Sequence, residues 1–66
     1  MKVKELVRLM NNDGTDPKIW VLKNSNDGHI HIAYSGPPRK IDKDAAMLRV
    51  TSFTATDRGA IVIYAK

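Results

Sequence analysis

Sixty-six residues, 42% hydrophobic and 27% charged, suit one small globular domain spanning 1–66 rather than a disordered chain. Cysteine is absent, which excludes disulfides and a cysteine-based zinc site. No apolar run approaches the ~20 residues of a membrane span, and Met1-Lys2 is not followed by a signal-peptide core, so a cytoplasmic location is expected. The net charge of +4 comes from eleven Lys and Arg against seven acids, scattered along the chain, and it favours anionic partners.

Residues 2–12, "KVKELVRLMNN", have the period of an amphipathic helix. At ~100° per residue Val3, Leu6, Val7 and Met10 share a face, Leu9 widens it, and Lys4, Glu5 and Arg8 lie opposite. The helix should stop at "NNDG", where Asn and Gly tolerate a left-handed turn, and Asp16 before Pro17 should be extended.

"KIWVLK" and "HIHIAY" are rich in strand formers and flank "NSNDG", a hairpin signal. A three-residue loop Asn26-Asp27-Gly28 sets Ser25 opposite His29. It puts Trp20 and Leu22 on one face with Ile30, Ile32 and Tyr34, and Ile19, Val21, His29, His31 and Ala33 on the other. "SGPPRK" breaks the sheet, because paired prolines cannot donate to a ladder. A turn or single helical turn is expected from Asp42 to Ala46. "LRVTSFTA" and "AIVIYA" are the last strands, joined by "TDRG". The expected fold is α+β, with the N-terminal helix packed on a four-stranded antiparallel sheet in the order α-β-β-β-β.

One helix covers one face of such a sheet, yet both parities of these strands carry apolar residues. A sheet with one wet face alternates more cleanly, so a second copy of the chain is expected to cover the other face, giving a homo-oligomer.

Three stretches invite a functional reading. His29 and His31 point the same way, two apart on a strand, but no third or fourth ligand is placed near them, so no metal site is assigned. In "SGPPRK", Gly36-Pro37-Pro38 is a stiff loop presenting Arg39 and Lys40, a donor fork and a point charge suited to phosphate. Tyr34 and Trp20 are the aromatics that would stack on a base beside it. These four residues form the candidate ligand-binding set. No base-plus-nucleophile set is readable, so no catalytic residue, enzyme activity or cofactor is expected.

"MKVKELVRLMNN", the "IWVLK" strand, "LRVTSF" and "RGAIVIY" together resemble small accessory proteins encoded by phages and prophages of Gram-positive bacteria. Those open with a helix of the M-x-V-K-E-L-I type and end in a V-x-S-F-x-x-x-D-x-x-x-I-x-I strand pair, matched here by Val50, Ser52, Phe53, Asp57, Ile61 and Ile63. The matched positions are core and turn residues. The resemblance implies a protein that acts in a bacterial host cell by binding: inhibiting a host or defence protein, sequestering a nucleotide signal used in defence, or coating nucleic acid. An oligomer that sequesters an anionic nucleotide signal is the first expectation, and a small basic nucleic-acid-binding domain is the alternative. A basic cleft between chains would favour the nucleotide; a basic sheet face carrying exposed aromatics would favour nucleic acid.

Overall fold

The helical period of the first twelve residues is realised as α1 (Val3–Asn12). Val3, Leu6, Val7 and Met10 are all buried, whereas Leu9, expected to widen their stripe, is 58% exposed: the sheet is met only by the i, i+3, i+4, i+7 row. The first turn is fastened by Glu5, whose carboxylate accepts from the Lys2 amide at 3.4 Å, the return half of a capping box. The computed structural model describes residues 1–12 and 17–66, with only the backbone of Asn11 and Asn12. α1 is described as far as Asn12, while Asp13 and Gly14 of the stop signal and the extended Asp16 lie outside the described residues.

Four strands follow: β1 (Ile19–Asn24), β2 (Ile30–Gly36), β3 (Val50–Ala55) and β4 (Ile61–Ala65). The β1–β2 turn is the expected three-residue loop. The Ser25 amide donates to the His29 carbonyl at 2.9 Å, and the Gly28 amide donates to the Ser25 carbonyl at 3.1 Å. Gly28 sits at φ 85°, the left-handed position that closes this turn type. Between β2 and β3 come a 3-10 turn, Pro38–Lys40, and one helical turn, α2 (Lys43–Ala46), capped by Asp42 through its carboxylate to the Ala45 amide at 3.3 Å. The helical turn falls where the sequence places it.

The fold is α+β with a four-stranded sheet, but that sheet is mixed rather than wholly antiparallel. Its order is β2-β1-β4-β3, with antiparallel outer pairs and a parallel central pair, β1 with β4. The cause is the β2–β3 connection, residues 37–49. About a dozen residues are enough to recross a sheet, so β3 starts at the opposite end from where β2 stops. Two antiparallel hairpins joined by a crossover necessarily place one strand of each in parallel. The 3-10 turn and α2 both contact α1, so the crossover runs on the helix side and leaves the other face bare.

The core lies between α1 and that covered face, where Ile19, Val21, Ile63 and Ala65 have no exposed surface. A bulge between Val21 and Leu22 of the β1–β2 ladder sets Val21 opposite Tyr34 but Leu22 opposite Ile32. Tyr34 therefore belongs to the covered face, not to the face of Trp20 as alternation from the turn predicts; the extra residue, Ala33, resets the parity. Trp20, Leu22, Ile30 and Ile32 keep their expected common face. Among the described residues no helix is long and apolar enough to cross a membrane.

Candidate functional site

The four residues expected to bind a ligand do not come together. Trp20 pairs with Ser35 on the bare face, while Tyr34 pairs with Val21 on the covered one. The Tyr34 hydroxyl donates to the Pro37 carbonyl at 2.5 Å, so its ring is a half-buried strut of the loop rather than a free stacking platform. Pro38 is buried, and the 3-10 turn that carries exposed Arg39 and Lys40 packs on α1. Those two cations thus project from the helix layer. Gly36, where the loop leaves β2, has φ 142°, and an added Cβ there would meet the Tyr34 hydroxyl at 3.1 Å.

The bare face gathers a different set. Across its middle run Ile32, Leu22 and Tyr64, linked by the pairings Leu22 with Ile32 and Leu22 with Tyr64. The next row holds Trp20 and Val62, which also pair. Ile32 is 61% exposed and Tyr64 37%, while Trp20, Leu22 and Val62 are half-buried. Trp20 and Tyr64 lie on adjacent strands two positions apart, a diagonal of about 7–8 Å. The remaining aromatic, Phe53, pairs with Ile63 and sits at the sheet edge on the other face.

Cations close both ends of this strip. At one end the Lys18 ammonium stands 4.6 Å over the Trp20 ring. Lys18, Trp20 and Arg58, with Thr56, Gly59 and Ala60 of the β3–β4 turn, line a cleft of about 420 Å³. At the other end Arg49 and Lys66 exchange backbone hydrogen bonds at 3.3 and 2.9 Å, and Lys2 bridges to Arg49 from its far side. Directly paired residues share a face, so Lys66, Arg49 and Lys2 form a basic row in line with Asn24. A second cleft, about 450 Å³, opens there between Lys23, Asn24, Ser25, Asn26 and Lys66.

The acids among the described residues lie elsewhere. None of the four strands contains Asp or Glu. Glu5 is on α1, Asp42 and Asp44 belong to the α2 turn, and Asp27 and Asp57 lie in the two hairpin turns. Asp27 is tied down: its carboxylate accepts from the Ser25 hydroxyl and, at 3.1 Å, from the His29 amide. These bonds, the hydroxyl's first, hold its pKa below the ordinary carboxylate value.

His29 and His31 are exposed, with ring centroids 6.4 Å apart, and no cluster of three or more His, Asp or Glu suited to a metal ion occurs among the described residues. Sequence reasoning missed Tyr64, Lys18, Arg58, Lys66, Arg49 and Lys2. The alternation in "IVIYAK" carries a signal for two of them, since Tyr64 and Lys66 share the parity of Val62. No protein-family model matches the chain, and no curated protein or solved structure matches it.

Proposed function

We propose that this protein acts by binding rather than by catalysis, and that the bare face of its sheet takes single-stranded nucleic acid. The observation that carries this reading is one surface with two part-exposed aromatic rings, cations at both ends and no carboxylate on any strand. Bases are flat and apolar and stack on rings whatever their identity, while phosphates seek the flanking ammonium and guanidinium groups. A second copy of the chain stacked on the same face would set Lys18, Arg49, Arg58 and Lys66 against their own kind. Charge therefore favours a polyanion over self-stacking as the cover for this face. The resemblance to phage accessory proteins supports a setting in the bacterial cytoplasm, where coating or sequestering nucleic acid is a task that suits so small a domain.

A nucleotide signal is the second reading, favoured by the cleft of about 420 Å³ that sets the Trp20 indole beside Lys18 and Arg58. Both readings use Trp20, the chain's one tryptophan, so its fluorescence reports occupancy directly. Titration with oligothymidine is expected to quench it, with an affinity that falls as salt rises. Contact with three to five phosphates gives a log–log slope of roughly −2 to −3.5 for a single strand. In Trp20→Ala, followed by anisotropy of a labelled oligonucleotide, the loss of one stacked base costs about 1–3 kcal/mol, or 5- to 150-fold in affinity. Binding of a labelled oligonucleotide that is insensitive to salt and unchanged in Trp20→Ala would remove the face from consideration.

A further inference from the structure

We infer that the cleft at Asn24 and Lys66 is a second phosphate-binding site, its cations Lys66 and the paired Arg49, which makes the ligand of the bare face an oligonucleotide of several units rather than a single nucleotide. The inference rests on the proposed use of that face and extends it. The two clefts lie at opposite ends of one central strand: Lys18 and Trp20 at the start of β1, Lys23 and Asn24 at its finish. At ~3.3 Å per residue they are about 20 Å apart, further than the reach of one nucleotide. Between them the surface is continuous and apolar, through Leu22 and Tyr64. A strand laid from one cleft to the other crosses both rings and ends on cations at each side.

The parallel pairing makes the far cleft. Because β1 and β4 run the same way, their carboxyl ends finish side by side, and Ala65 opposite Lys23 carries Lys66 to the level of Asn24. An antiparallel partner would have brought an amino end there instead. Arg49, paired with Lys66, and Lys2, bridged to Arg49, add charge alongside. Asn24, Ser25 and Asn26 supply neutral hydrogen-bonding groups. Asp27, in the adjoining turn, is tied to Ser25 and His29.

The test is a length series of thymidine monophosphate, dT2, dT4 and dT8, read by Trp20 fluorescence and calorimetry on the parent, Arg49→Gln/Lys66→Gln and Trp20→Ala (the last by calorimetry alone). Affinity is expected to climb steeply to about four nucleotides and then level, the lower end of known single-strand site sizes. The Arg49/Lys66 double change should weaken dT8 by about tenfold or more at low salt and reduce the salt slope by roughly 0.7 per lost contact, while leaving the monophosphate untouched. Trp20→Ala should weaken every length. If the monophosphate binds as tightly as dT8, or the Arg49/Lys66 change leaves dT8 affinity intact, the second site is wrong although the face still binds. If no length binds the parent, the reading of the face fails, and the second site with it.

Discussion

On the covered face of the sheet Ile19, Val21, Ile63 and Ala65 have no exposed surface. One position along the same strands, Trp20, Leu22, Val62 and Tyr64 remain partly in water. The two sets are similar in apolar character, so composition does not distinguish them. What does is the layer above: α1, the 3-10 turn and α2 all lie on one side. A chain of this length has one full helix to spend, and burying one face already supplies the core. Apolar residues left on the opposite face add little to folding, and a contiguous exposed patch of this kind marks a contact surface. The cations that border it name the sign of the partner.

The sharpest way to break this comparison is to place the same charge on adjacent residues of β1. Val21→Asp buries an unpaired carboxylate where no surface is exposed, at a cost of several kcal/mol. That is comparable to the ~5 kcal/mol such a domain is expected to possess, so no cooperative melt should remain. Leu22→Asp, on the bare face, should melt cooperatively within about 1 kcal/mol of the parent, yet lose oligonucleotide binding through its new charge. Thermal melts followed by circular dichroism check both. Equal loss of structure in the two variants would mean that the faces are not different in kind.

A medium effect is expected where the crossover leaves the sheet. Gly36→Ala imposes φ 142° on a residue with a Cβ and crowds the Tyr34 hydroxyl, at a cost of roughly 1–3 kcal/mol. Denaturant unfolding should show a lower midpoint and an unchanged slope. Nucleic-acid affinity should hold, because this loop belongs to the helix side. An affinity loss that follows the stability loss would tie Arg39 and Lys40 to the site after all.

The smallest effect concerns the hairpin turn. The Asp27 pKa is lowered in the folded chain by the Ser25 hydroxyl and the His29 amide. A lowered folded value means that the stabilisation is complete above the unfolded value and is lost as pH falls through the folded one. Carboxyl-carbon NMR should therefore give Asp27 a midpoint below the ordinary 3.8, and Asp27→Asn should flatten the acid limb of the stability curve. A midpoint at or above 3.8 would show that the turn bonds do not form in solution.

Much of the local structure was written in the sequence. The i, i+3, i+4, i+7 spacing of Val3, Leu6, Val7 and Met10 specifies α1, because helical period is a property of neighbouring residues. Asn26-Asp27-Gly28 specifies its turn, because only a few residues accept the backbone angles that close it. Both depend on contacts within a few positions. The candidate site did not: Arg39 and Lys40 follow Tyr34 closely in sequence, yet the bulge at Ala33 turns Tyr34 away from Trp20.

By itself, then, the sequence determined a helix, a hairpin, four strands and a surplus of apolar residues over what one covered face can hold. The tertiary structure alone decided which residues meet on the bare face. Lys2, Arg49 and Lys66 come from both ends and the middle of the chain, and they form a row only because β4 enters between β1 and β3. That insertion follows from the crossover of residues 37–49, whose direction is set by packing against α1 rather than by any local preference. Short-range propensity fixes which way a side chain points along its own strand; only the order of strands fixes its neighbours.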